Sequence, residues 1–303
     1  MGPLWGIDLG ETKTEGAVFD GGSTLARIRV PTRAEDGYEQ VLRSCAEVVE
    51  RLEAETGLSR PTRIGFGTPG SCDPATGLMR NCNTVCLNGR ALPSDLSQEV
   101  GSDAVVANDA NCFALAEAHL GSGRGHRCVF GVILGTGVGG GLVLDGGAWA
   151  GANGIAGEWG HITADAEGEP CYCGRRGCVE TVLSGPALEG YYHRLSGETL
   201  GLEDIVAAAR TGGNKHAAST VERLCSEFGR LLAYVVNILD PDVVVLGGGV
   251  GLTDELYDMG TIALRKHVFH DGPRLRVVRP LLGDSAGVYG AGLLARTDGE
   301  NRP

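Results

Sequence analysis

The chain alternates short apolar runs with glycine-rich turns, and long helical periodicity is sustained in two stretches. Leu4–Leu9 predicts a strand and residues 10–14 a tight polar turn. Residues 16–19 predict a second strand, Asp20-Gly21-Gly22 its turn, and residues 25–30 a third. Two or three antiparallel strands therefore open the chain. Tyr38–Thr56 carries Val41, Leu42, Cys45, Val48, Val49 and Leu52 at helical spacing. Residues 63–67 and 104–107 read as further strands, the second running into Asn108-Asp109 and a helix over 111–120.

A second cycle starts near Cys128. Residues 129–134 predict a strand, Gly135-Thr136-Gly137 a turn, residues 140–144 another strand, and Asp145-Gly146-Gly147 a closing turn. The pattern of strand, glycine-threonine turn and strand repeats the opening of the chain and implies two halves of similar design. Residues 217–239 form the strongest helix, with one apolar face running from Val221 to Leu239 and Asp240-Pro241 as its stop. Residues 242–246 read as a buried strand leading to Gly247-Gly248-Gly249. Residues 286–296 read as a helix whose glycines permit close packing, and residues 297–303 as a loose tail.

A length of 303 residues fits two domains, and 42% apolar residues supply a substantial core. The 50 glycines cluster beside apolar runs without a Gly-x-y period, as phosphate or sugar loops at strand ends do. A formal net charge of -12 and scattered arginines argue against nucleic acid as a partner. No basic-then-apolar leader and no long apolar run is present, so the expectation is a cytoplasmic protein that does not span a membrane. The chain is too long to need a disulfide framework, and most of its 10 cysteines read as small buried residues or incidental thiols.

Four residues stand apart. His161, Cys171, Cys173 and Cys178 form a close set of one imidazole and three thiols, with Gly174 and Gly177 relieving the loop. That is a complete tetrahedral shell for a structural Zn2+. The competing reading is a redox or incidental cysteine cluster, since the spacing is Cys-x-Cys rather than paired Cys-x-x-Cys. Around Gly10, Thr12 and Lys13, and again at Thr136 and Gly137, backbone amides and hydroxyls suit phosphate oxygens, while Asp8 at its strand end suits hydrated Mg2+. Two hairpin turns that simply need positive φ are the alternative. Asp109 reads either as a helix N-cap or as a base that accepts the proton of an attacking hydroxyl. Glu158, His161 and Glu180 suit sugar hydroxyls, or else lie behind the metal or face solvent.

Taken together, the motifs resemble the ROK family of repressors and kinases. They are Asp8-x-Gly10-x-Thr12-Lys13, Asn108-Asp109-Ala110-Asn111, Gly135-Thr136-Gly137-x-Gly139-Gly140, Gly157-Glu158-Trp159-Gly160-His161, Cys171-x-Cys173-Gly174-x-x-Gly177-Cys178-x-Glu180 and Gly247-Gly248-Gly249. The resemblance implies an α/β, actin-like ATPase (ribonuclease H-like) fold with two domains and an active-site cleft between them. The first domain would cover residues 1–112, completed by a C-terminal helix within about 285–303, and the second residues 113–284. ATP would meet Asp8, Gly10, Thr12, Lys13, Thr136, Gly137, Gly247, Gly248 and Gly249. Asn83, Asn108, Asp109, Glu158, His161 and Glu180 would bind the sugar, with Asp109 as general base, and a homodimer is expected.

Asn81-x-Asn83, Leu87-Asn88-Gly89, Cys171-Tyr172-Cys173-Gly174 and the segment from Asn237 to Asp242 resemble bacterial ROK fructokinases. The resulting expectation is an ATP-dependent hexose kinase converting D-fructose to D-fructose 6-phosphate. The alternatives are an N-acetylglucosamine, glucose or mannose kinase, or a non-catalytic sugar sensor. Two departures from the family pattern stand out: Glu11 where a glycine is usual, and Cys86 where a tryptophan often lies near the sugar. The repressor reading is disfavoured by the first strand starting near Leu4, which leaves no preceding helix-turn-helix.

Overall fold

The computed structural model describes residues 2–21 and 23–296. Gly22 of the first predicted turn and the predicted tail 297–303 lie outside the described residues. The chain forms two compact units, one of residues 1–127, 141–157 and 281–303, the other of residues 128–140 and 158–280. The expected boundary near residue 112 compares with a first division at Arg127/Cys128.

The first unit is built on five strands. β1 (Leu4–Leu9), β2 (Lys13–Asp20) and β3 (Ser23–Pro31) form an antiparallel meander, followed by α1 (Tyr38–Thr56) and β4 (Arg63–Thr68). A small ribbon, β5 (Ser71–Cys72) with β6 (Met79–Arg80), leads through α2 (Leu92–Val100) to β7 (Asp103–Asn108) and α3 (Asp109–Leu120). The sheet order is β3-β2-β1-β4-β7, with β4 parallel to both β1 and β7. α1 takes the length its apolar period predicts: Val41, Leu42, Cys45, Val48, Val49 and Leu52 are all buried, and Gly57 ends it in the left-handed conformation.

Side chains alternate across a strand, so β1 serves two faces at once. Trp5, Ile7 and Leu9 join the core that includes Val48, Val49 and Leu52 of α1. Gly6 and Asp8 face the other side. There, α10 (Ala286–Leu294) lies with its backbone directly on the sheet. A β-carbon added at Gly6 would fall 2.0 Å from the Val288 carbonyl oxygen, and one at Gly65 would fall 1.7 Å from that of Ala291. Gly6 and Gly65 are register partners on β1 and β4, so together they form the seat. The helix supplies its own glycines: a β-carbon at Gly290 would meet the Cys112 carbonyl oxygen of α3 at 1.8 Å. Glu117, fully buried on α3, fixes the chain where it returns for this contact, accepting hydrogen bonds from the Leu281 and Leu282 amides at 3.0 and 2.9 Å. The glycines of the last helix thus serve contact, and their poor intrinsic propensity is offset by packing.

The second unit holds β8 (Cys128–Leu134) and the start of β9 (Val138–Leu144); the end of β9 pairs in the first unit with β10 (Gly147–Ala148). Four helices follow: α4 (Glu180–Leu183), α5 (Gly185–Ser196), α6 (Leu202–Arg210) and α7 (Lys215–Leu239). β11 (Val243–Gly247), the short α8 (Gly248–Gly251), α9 (Thr261–Arg265) and β12 (Val277–Val278) complete it. β11 lies parallel between β8 and β12 and is buried throughout. α7 starts two residues before the apolar pattern predicts because Asn214 caps it, accepting from the His216 and Ala217 amides. Among the described residues no helix is long and apolar enough to cross a membrane.

The seat predicts a steep penalty for any side chain in it. Gly65→Ala should lower stability by about 3 kcal/mol or more, since backbone must move to admit the methyl group. Thermal unfolding measures this, and a loss within about 0.5 kcal/mol would contradict the packing described.

Candidate active site

In the first unit, Asp8 and Asp109 stand at the ends of β1 and β7. Asp8 shares its face with Gly6, and its register partner on β4 is Gly67. A β-carbon at Gly67 would lie 3.4 Å from Asp8 Oδ1, and one at Gly287 of α10 would lie 2.7 Å from Oδ2. Glycine on both flanks is what leaves the carboxylate space. Burial pushes the Asp8 carboxyl from the usual 3.8 up to about 6, reinforced by the charges of Asp109 and Glu15 and opposed by Lys13.

The N-cap reading of Asp109 passes to its neighbour. The N-cap of α3 is Asn108, whose Oδ1 accepts from the Ala110 amide at 2.9 Å while its Nδ2 donates to the Gly70 carbonyl at 3.0 Å. Asp109 is the first helical residue and accepts from the same amide through Oδ1 at 2.8 Å. Protein crowds Asp109 on many sides, yet its surface stays open to solvent. That desolvation raises its pKa, while the Ala110 amide and Asn108 pull it down. Burial, with Asp8 and Asp109 close by, drives the Cys112 thiol far up, so this cysteine stays a neutral wall of the site.

The Gly10–Thr12 turn is braced from outside. Gly10 donates to the Lys13 carbonyl at 2.9 Å, and Thr32 donates its amide to the Thr12 carbonyl and its hydroxyl to the Gly10 carbonyl, at 3.0 and 2.7 Å. Thr32 is fully buried, and the sequence pattern singled out no partner for this turn. Glu11 is exposed on it. Asn83 sits in a loop clamped by Asn88, whose side chain both accepts from the Cys82 amide and donates to the Cys82 carbonyl.

In the second unit, the turn Trp159–His161 is pressed onto β9. Trp159 is 3% exposed, donates its indole N–H to the Gly139 carbonyl at 2.9 Å, and meets Phe130 edge-on at 6.4 Å. Gly160 must be glycine, because a β-carbon there would fall 1.9 Å from the Val138 carbonyl oxygen. This anchor fixes Glu158 before the turn and His161 at its end.

His161 Nδ1 lies 3.6 Å from Cys171 Sγ, and Cys173 Sγ lies 3.6 Å from Cys178 Sγ. All four ligand atoms fall within 4.8 Å of one another. Ligands about 2.1–2.3 Å from a central ion in a tetrahedron stand roughly 3.5–3.8 Å apart, so the donor set fits zinc by type and number, and two of its pairs already stand at that spacing. The loop supports this: Gly177, with φ of 60°, has the Asp165 carbonyl oxygen 1.5 Å from where a β-carbon would be, and Gly174 turns the Cys-x-Cys segment with φ of 85°. The other ring nitrogen, Nε2, faces the Tyr172 hydroxyl at 3.1 Å.

Glu180 is engaged differently from the other expected sugar ligands. Its Oε2 accepts from the Val138 amide at 3.1 Å, and a β-carbon at Gly137 would lie 2.8 Å from that oxygen. Its Oε1 is 4.0 Å from Cys171 Sγ. Glu180 thereby ties the Thr136-Gly137 turn to the cysteine loop, which spacing along the chain does not reveal. Gly248 has φ of 78°, and its β-carbon position lies 2.2 Å from the Leu134 carbonyl oxygen, so β11 and β8 end side by side at their glycine turns.

Comparison with known proteins shows the family. The model of the ROK family matches residues 4–298. An N-acetyl-D-glucosamine kinase of Yersinia pseudotuberculosis is 37% identical, over 96% of this chain and 98% of the relative. The ROK hexokinase of Thermus thermophilus is 36% identical with a TM-score of 0.86, covering 97% of each chain. A ROK family glucokinase from Streptomyces griseus, solved with glucose and AMPPNP, is 29% identical with a TM-score of 0.80, over 97% of this chain and 99% of that one. The fold is that of the actin-like ATPases. The chain belongs to the ROK family, and within it to the ATP-dependent sugar kinases.

The raised Asp8 pKa carries a signed consequence. Between about pH 4 and 6 the folded chain keeps a proton on Asp8 that the unfolded chain has released, so this contribution to stability falls as pH rises through that window. Asp8→Asn should therefore stabilise the fold at pH 8 by on the order of 1–3 kcal/mol. The gain should shrink on acidification through pH 6 towards 4. Melting curves across that range decide it, and a gain that is absent or independent of pH would contradict the assigned burial.

Proposed function

We propose that the chain transfers the γ-phosphoryl group of ATP to the primary hydroxyl of a free hexose, with N-acetyl-D-glucosamine as the acceptor. The observation that carries this acceptor is the similarity, over almost the full length of both chains, to an N-acetyl-D-glucosamine kinase. Fructose, the acceptor first expected from the sequence, becomes the second reading. It keeps the support of the Asn81-x-Asn83, Leu87-Asn88-Gly89 and Asn237 to Asp242 motifs.

In this reading the two compact units act as the two domains of the kinase. The first presents Asp109 as general base: its capped helix fixes the carboxylate, and the raised pKa brings it nearer the range where it can take the hydroxyl proton as the oxygen attacks phosphorus. Asp8 positions Mg2+, whose charge would return this carboxyl to its ionised form. Gly10, Thr12 and Lys13 receive phosphate oxygens on one side, and Thr136, Gly137 and Gly247–Gly249 on the other. Asn83, Asn108, Glu158, His161 and Glu180 hold the sugar. His161 does so through Nε2, the nitrogen left over when Nδ1 binds metal, which requires the exposed Tyr172 hydroxyl to yield or share it. Zn2+ in the shell of His161, Cys171, Cys173 and Cys178 would stiffen this side of the site without an open coordination position.

The test is ATP-dependent ADP release with N-acetyl-D-glucosamine, fructose, glucose and mannose, on protein whose metal content is measured first. The expected result is roughly one zinc per chain and a kcat/KM at least about tenfold higher for N-acetyl-D-glucosamine than for the others. Preference for fructose would replace the acceptor and leave the mechanism standing. No turnover with any hexose would favour the sugar-sensor reading, and zinc-free active protein would remove the metal assignment.

A further inference from the structure

The glycine turn at the end of β11 is held by side chains to which the phosphoryl transfer assigns no part. α8 is four residues long, Gly-Gly-Val-Gly, and its glycines give it almost no helical propensity of its own. A helix this short leaves its last carbonyls without partners along the chain. Two side chains from outside it take them. The Tyr257 hydroxyl donates to the Gly251 carbonyl at 2.7 Å, and Arg279 Nη1 donates to the Leu252 carbonyl at 3.2 Å.

Both side chains are themselves fixed. The Arg279 guanidinium lies over the Tyr257 ring, 4.2 Å from its centre. Arg279 follows β12, whose Val278 is the register partner of Val245 on β11, so strand pairing sets where the arginine stands. Asp254 accepts from Arg279 through Oδ1 and from Arg210, at the end of α6, through Oδ2 at 3.0 Å. Arg210 also donates to both carboxylate oxygens of Glu255, at 2.7 and 2.9 Å. Burial pushes the Tyr257 hydroxyl up to about 12, with Arg279 opposing the rise and Asp254 adding to it, so the group stays protonated and donates.

The start of the same turn is left clear. Gly248 and Gly249 are exposed, and a β-carbon at Gly249 would meet no atom within 4 Å. Gly249 is not among the glycines with positive φ. The fold itself therefore does not require glycine at this position, and alanine would make the better helix. Glycine there serves the close approach of something other than the protein. We propose that Tyr257 and Arg279 are positioning residues for the nucleotide: by holding the Gly251 and Leu252 carbonyls they lock the turn in the form that keeps Gly249 open to it. The inference rests on reading Gly247–Gly249 as a nucleotide turn and extends it to two residues outside that turn.

Calorimetric Kd for AMPPNP-Mg2+, melting temperature, and KM for the hexose turned over fastest in the panel above test it on wild type, Tyr257→Phe, Arg279→Gln and Gly249→Ala. Tyr257→Phe, which removes only the hydroxyl, should weaken AMPPNP about fivefold. Arg279→Gln should do so on the order of tenfold, since it loses both charge-assisted bonds and the ring contact. The KM for the hexose should stay at the wild-type value in both. Gly249→Ala tests the underlying reading: it should weaken AMPPNP without lowering the melting temperature. If Tyr257→Phe and Arg279→Gln melt earlier yet bind AMPPNP as wild type does, or lose both ligands equally, the pair is structural and the proposal is overturned. Weakening by Gly249→Ala in that case would leave the nucleotide turn standing and remove only the brace. AMPPNP binding unchanged in all three variants would overturn the nucleotide turn as well.

Discussion

Backbone-to-backbone contact between α10 and the first sheet is the constraint on which the carboxylate-bearing end of the first unit depends. With Gly6 and Gly65 on the strands and Gly290 on the helix, no side chain separates the layers. The same close approach carries Gly287 to Asp8 and Cys112 to the back of the pair of carboxylates. Any wider spacing would hydrate Asp8 and return its pKa to the ordinary range. The glycines that look like weaknesses in helix propensity are therefore what places a half-buried carboxylate at the end of β1.

The second unit solves a similar problem with other means. Trp159 and Gly160 press one turn onto β9, and the cysteine loop folds against that turn through Gly177 and the Thr163–Cys178 bridge. Glu180 then joins the loop to the Thr136-Gly137 turn. A continuous set of hydrogen bonds and contacts thus runs from the four metal-type ligands to the proposed phosphate turn. Such preorganisation is what phosphoryl transfer requires, because the protein contributes positioning and electrostatics rather than covalent chemistry.

Much of this was legible in the sequence because it rests on local pattern. The span of α1, the opening meander, β11 and the long α7 follow from apolar periodicity and clear stop residues. The metal-type cluster follows from residue type and spacing, and its four ligand atoms do converge. What pattern could not show is long-range pairing. α2 and α6 are only nine residues long, too short for a sustained period to stand out, and α5 buries just Gly185, Leu188 and Tyr192; none of the three was anticipated. Thr32 bracing the first turn, Glu117 fixing residues 281–282 and Glu180 reaching Val138 each join residues 20 or more positions apart. The capping role read at Asp109 belongs to Asn108, since both side chains stand at the same helix start and only geometry separates them. Substrate identity was the least legible, because specificity is carried by a few groups on loops, where hydrophobic pattern says little.

The central claim is that Asp109 acts on the sugar hydroxyl rather than merely opening a helix. Hexose-dependent ADP release by Asp109→Asn, alongside calorimetric binding of the same hexose, addresses it most directly. The account predicts a fall in kcat of at least about a hundredfold, with sugar affinity and melting temperature close to wild type. Turnover within a few-fold of wild type would show that Asp109 is not the base and would contradict the mechanism.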